Sequence, residues 1–138
     1  MELFHSFKIS GSALAAEKLR IDTVAGNLAN MHTTRTDTGG AYRRKTVIFA
    51  ENLTRARSSF SGQGVKVVSI VEDPNPARQE YDPGHPDANE EGFVSYPNID
   101  LAKEMTDLIT ASRSYEANTT AINTYKSLYL KALEIGRG

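Results

Sequence analysis

Large apolar side chains recur every seven residues at both ends of the chain: Phe7, Leu14, Ile21 and Leu28 near its start, then Leu101, Leu108, Tyr115, Ile122 and Tyr129 near its end. A seven-residue period keeps one stripe of an α-helix aimed at a neighbour along its whole length. Met105 and Leu133 widen the second stripe, and Val24, Ala25 and Met31 widen the first. At roughly 1.5 Å of rise per residue, such helices would run about 40 Å at the N-terminal end and about 55 Å at the C-terminal end. In a chain of 138 residues, rods of that length leave too little between them for one compact core.

The first helix is expected from Leu3 to Asn30, where five alanines supply helix propensity and Lys18, Arg20 and Asp22 a wet side. Gly11 and Gly26 weaken it, so that alone in water it is marginal. The Thr/Gly-rich run Thr33 to Gly40 stops it. Two β-rich stretches follow, Tyr42–Ala50 and Val65–Val71, joined through the loop Ser58 to Gly64 with Gly62-Gln63-Gly64 as its turn. All five prolines lie between Pro74 and Pro97, which excludes any long helix over Glu72–Asp87. A short extended piece, Gly92–Tyr96, closes the middle. The last helix is expected from Ile99 to Ile135, capped by Asn98, with Asp100 and Glu104 complementing its positive end and Gly136 ending it. The fold class is therefore mainly α with a small β-rich middle: terminal helices that pack as a coiled-coil-like pair form one unit, residues 1–40 plus 98–138, and residues 41–97 an inserted β domain.

The stripes admit two arrangements, a hairpin within one chain or packing between chains. Three features favour packing between chains: the stripes have unequal length, Glu17, Lys18 and Lys126 interrupt a simple two-stranded seam, and Ala102, Ile109, Leu128 and Leu130 make the last helix apolar on more than one side. Phe7, Leu14, Ile21, Leu28, Leu101, Met105, Leu108, Tyr115, Ile122 and Tyr129 are then the subunit-packing residues. Each contributes roughly 1.5–3 kcal/mol when fully covered.

Chemistry is poorly provided for. The formal net charge of −1 removes the electrostatic case for nucleic acid, and the basic triplet Arg43-Arg44-Lys45 reads as a solvated or interfacial strand end. Without cysteine there is no thiolate metal site or cysteine nucleophile, and no apolar run is long enough to insert directly into a membrane. No phosphate loop, dinucleotide fingerprint or nucleophile elbow occurs, and neither a catalytic residue nor a cofactor is expected. The densest polar cluster, Asp82-Pro83-Gly84-His85-Pro86-Asp87, offers one imidazole without a second to complete a zinc set. It reads as a tight turn in which Asp82 and Asp87 tie the backbone and Gly84 takes a positive φ. A metal enzyme at His85 and a soluble helical adaptor or export chaperone are the rival classes.

Ser10-Gly11-Ser12-Ala13-Leu14-Ala15-Ala16, then Val24-Ala25-Gly26-Asn27-Leu28-Ala29-Asn30 and Thr33-Thr34-Arg35-Thr36, resemble the N-terminal signature of the bacterial flagellar axial proteins, which build rod, hook and hook–filament junction. Gly39 to Lys45, the Asp82–Asp87 core, Pro97-Asn98, Glu104-Met105 and Ala111 to Asn118 are similar to the proximal-rod members of that family. Asn27, Asn30, Thr33, Arg35, Asp82, Pro83, Gly84, His85, Pro86 and Asp87 carry the match. The resemblance implies a non-enzymatic rod subunit that encloses the export channel and transmits torque by helix packing. It also implies synthesis in the cytoplasm, export through the flagellar type III apparatus without a cleaved signal, and residence in the periplasmic part of the basal body. The partners it implies are further copies, the other proximal and distal rod proteins, the inner-membrane ring adaptor and the export machinery.

Overall fold

The computed structural model describes residues 2–55 and 60–136. Two long helices, α1 (Glu2–Ala29) and α2 (Leu101–Ile135), flank four strands: β1 (Lys45–Arg55), β2 (Phe60–Glu72), β3 (Arg78–Tyr81) and β4 (Phe93–Tyr96). The architecture is the expected one, mainly helical with a small antiparallel middle. Ser58 and Ser59 of the expected loop lie outside the described residues.

Residue chemistry sets the helix ends. At the end of α1 the Asn30 side chain donates to the Gly26 carbonyl (2.9 Å), which also takes the Asn30 amide, and accepts from the Thr33 hydroxyl (3.1 Å), tying the last turn to the loop that follows. Asp100 rather than Asn98 caps α2, its carboxylate accepting from the amides of Ala102 (2.9 Å) and Lys103 (3.2 Å). The turn in which Ile99 N–H donates to the Pro97 carbonyl holds the chain out of the helix until Asp100. At the far end Gly136 keeps ordinary right-handed helical angles, so α2 does not use glycine's freedom to stop.

The helices run antiparallel and pack on each other. The Phe4 ring meets the Tyr129 ring edge-on at 6.2 Å near one end, Arg20 faces Asp107 further along, and Asn27 meets Glu104 at the other end. The in-chain hairpin therefore forms, and it covers only part of the apolar surface. Its buried positions are small or polar: Ser10, Ala16, Val24 and Asn27 on α1, Glu104 and Ala111 on α2.

The β1–β2 ribbon lies against α1, in a register from Lys45↔Glu72 to Arg55↔Phe60 that is broken by irregularities after Ile48 and after Glu51. The ribbon is longer than the two expected stretches, because Gly62-Gln63-Gly64 lies inside β2 and makes no turn there. Gly64, at φ +98°, lets the strand touch α1. There the Ser12 hydroxyl accepts from Val65 N–H (3.1 Å) while donating to its own helix at the Ile9 carbonyl (2.7 Å). Strands β3 and β4 pair from Arg78↔Tyr96 to Tyr81↔Phe93, with Val94 fully buried.

Candidate functional site: an uncovered helix face above a buried polar node

Pairing with α1 divides the expected stripe of α2. Leu108 and Ile122 are half-buried, whereas Leu101, Met105, Tyr115 and Tyr129 remain exposed, joined by Ile109, Leu128, Leu130, Leu133 and Ile135. On α1, Leu14, Ile21 and Leu28 are half-buried and Phe7 is exposed. These exposed side chains are spread along the whole of α2 and over more than one of its sides, the kind of apolar surface that marks contact with other chains.

Beneath the N-terminal end of α2 sits a polar node that the sequence reading did not assemble. Asn27 is 0% exposed and makes every hydrogen bond its amide allows. Nδ2 donates to the Lys45 carbonyl (2.8 Å) and to Glu104 Oε2 (2.9 Å); Oδ1 accepts from Lys45 N–H (2.9 Å) and from the Tyr42 hydroxyl (3.1 Å). The side chain thus pairs with Lys45 as a neighbouring strand would, and holds α2 with its other hand.

Glu104, also 0% exposed, takes an ion pair from Arg44 Nε, and Asp107 lies between Arg44 (3.7 Å) and Arg20 (3.5 Å). Glu104 stands in the first turn of α2, as expected, and is also a core residue; Arg44 is its partner, so the middle of the basic triplet lies at an interface and not in water. A sequence signal existed. In an extended segment side chains alternate, so one of Arg43, Arg44 and Lys45 had to point opposite to the other two. Burial, then the negative charges of Glu72 and Glu104, push the Tyr42 phenol above its ordinary range and keep it a hydrogen-bond donor.

Of the family-motif residues, Asn27 belongs to this node, while Arg35 and the Asp82–Asp87 run form a second cluster. Thr34 donates to Asp87 Oδ2 (2.8 Å) and Arg35 stands 3.6 Å from Asp87 Oδ1, clasping the loop after α1 to the loop between β3 and β4. Inside that second loop Asp82 Oδ1 accepts from Gly84 N–H (3.2 Å), and His85 Nδ1 accepts from Asp87 N–H (3.0 Å) while its ring packs edge-on to Tyr96. His85 thus spends its lone pair on the backbone. Gly84 is not at a positive φ; the left-handed position is Gly92, at φ +82°, where a Cβ would stand 2.9 Å from the Tyr81 ring and 3.2 Å from Pro83 Cβ. His85→Asn, whose carbonyl can accept the same amide, is expected to leave stability within about 1 kcal/mol, whereas Gly92→Val costs about 2 kcal/mol or more. Urea titrations of the two variants check the contrast.

An open cleft of about 860 Å³ separates the 34–44 loop from β3 and β4, with Arg35, Arg43 and Arg44 facing Asp73, Asp87 and Glu91. Its charges are mixed, and it brings together no nucleophile and base. Among the described residues, no group of three or more His, Asp or Glu is placed to hold a metal ion, and no helix is long and apolar enough to cross a membrane.

Comparison with known proteins agrees with this layout. Residues 7–35 match the family "Flagella basal body rod protein", and residues 90–135 match "Flagellar basal body rod FlgEFG protein C-terminal". The chain is 43% identical over 152 aligned positions to the flagellar basal-body rod protein FlgC of Borreliella burgdorferi, covering 100% of both chains. It is 46% identical to the FlgC of Bacillus subtilis and 42% identical to that of Salmonella typhimurium, each time covering 99% of this chain and 100% of the relative.

Proposed function

Because the chain belongs to the FlgC family of flagellar basal-body rod proteins, we propose that the uncovered face of α2 is where it meets its neighbours in the rod. It is a structural rod subunit and not an enzyme. In this reading residues 1–40 with 98–138 are the assembly unit and residues 41–97 an outer domain. Phe7, Leu14, Ile21, Leu28, Leu101, Met105, Leu108, Tyr115, Ile122 and Tyr129 take part in burying the seams between copies and against other proximal and distal rod proteins and the ring adaptor. The subunit reaches the periplasm through the type III apparatus without cleavage of a signal, and it transmits torque around a central channel through many small contacts in parallel.

The observation that carries the reading is the apolar surface of α2 left over once α1 has docked, which folding alone gives no reason to keep. Met105 and Leu130, 44% and 50% exposed and within about 20° of each other round the helix, test it. Met105→Asp with Leu130→Asp should alter the stability of the isolated chain by less than about 1 kcal/mol, since surface substitutions away from caps and cores usually do little. The same pair is expected to abolish swimming in a strain that depends on this chain. Normal motility of the double variant would refute the assignment of this face.

A further inference from the structure

We infer that the Asn27–Glu104–Arg44 node is the register key of the helix pair: it selects one alignment of α1 with α2 and makes the docking of the 42–45 segment conditional on that alignment. The apolar pattern cannot do this. Stripes that repeat every seven residues superimpose on themselves after a slip of one heptad, and the fully covered apolar positions of the two helices, Ala16, Val24 and Ala111, include no large side chain to act as a shape key. The node has no such degeneracy. A slip carries Glu104 about 10 Å along the axis. That strands a buried carboxylate and leaves Asn27 with an unpaired donor.

Two halves of one amide join the events. Asn27 gives one N–H to Glu104 on α2 and the other to Lys45, while its oxygen serves Lys45 N–H and Tyr42. The same two carboxylates that draw in Arg44, Glu104 and Asp107, belong to α2. A chain with its helices out of register therefore lacks the anchor for the start of β1, and a chain without that segment in place lacks the cation for Glu104. Replacing such a set by apolar residues often preserves stability while removing the penalty on wrong alignments, which gives the inference its test.

The chain has no cysteine, so spin labels attach only where they are introduced. Lys18→Cys and Lys126→Cys, both at exposed positions, place one label on each helix of the full chain. Pulsed electron–electron resonance should give a single distance with the node intact. In Asn27→Leu/Arg44→Met/Glu104→Leu, a second population displaced by up to about 10 Å is expected, with helical content retained. Glu104→Ala with Ala111→Glu moves the carboxylate by one heptad, and the main distance should move with it. Two distances, or none resolved, in the chain with the native node would overturn the inference. So would a single unchanged distance in the apolar triple variant, loss of its helical signal, or a register that ignores the transplanted carboxylate.

Discussion

Glu104→Leu should lower the stability of the folded chain by about 3–5 kcal/mol, a large share of what a domain of this size holds. The cost arises from what the leucine leaves behind. Arg44 is only 14% exposed and loses its closest anion, and Asn27, 0% exposed, keeps an N–H with no acceptor. Removing one member of a buried pair is far more costly than replacing the whole set, because the survivor stays desolvated and uncompensated. Urea unfolding followed by circular dichroism measures the loss. The adjacent Met105→Ala, on the exposed side of the same helix turn, serves as control and should move the midpoint little.

The second large effect falls at Gly64. Gly64→Val is expected to cost about 3 kcal/mol or more, combining a β-branched residue at positive φ with overpacking against α1. A Cβ there would overlap the Ser12 hydroxyl and press on Ser12 Cβ at 3.2 Å and on Ile9 Cα at 3.3 Å. Relief by Ser12→Ala should be partial, since the last two contacts and the backbone strain remain. Gly11→Ala is expected to have the opposite sign: it has open space around it in mid-helix, and a stabilisation of about 0.5–1 kcal/mol follows from reduced chain entropy. Thermal melts of the two variants side by side read the difference in sign.

These sites mark where the sequence was and was not legible. Element type and order followed from strong local signals: a seven-residue repeat for the helices, β-branched clusters for the ribbon and a run of prolines between. The stripes told of helices seeking neighbours. They did not say which edge α1 would cover, because a helix apolar on more than one side fits several partners, and the edge taken is lined by Ala16, Ala111, Asn27 and Glu104.

Charge was the harder signal. Glu104 in the first turn of a helix has an adequate local explanation in the helix dipole, and only the chain path from Tyr42 to Lys45 brings Arg44 to it. Asp100 took the capping place expected of Asn98 because one turn after Pro97 delays the helix. The positive φ expected at Gly84 fell at Gly92, where the strand must re-enter beside the Tyr81 ring. In each case a residue type suited to the role was in the right neighbourhood; a local turn chose Asp100, and tertiary contacts chose the partner of Glu104 and the place of Gly92.

Capture from Met105 in assembled basal bodies shows directly whether α2 meets a neighbour in the rod. A photoreactive amino acid placed there sits on α2 at a position that the chain's own α1 leaves 44% exposed. Illumination should join it to a second rod polypeptide, either another copy or a different rod subunit, and mass spectrometry should place the adduct on a helix of that neighbour. Adducts confined to the same chain, in rods that are assembled and turning, would contradict the account.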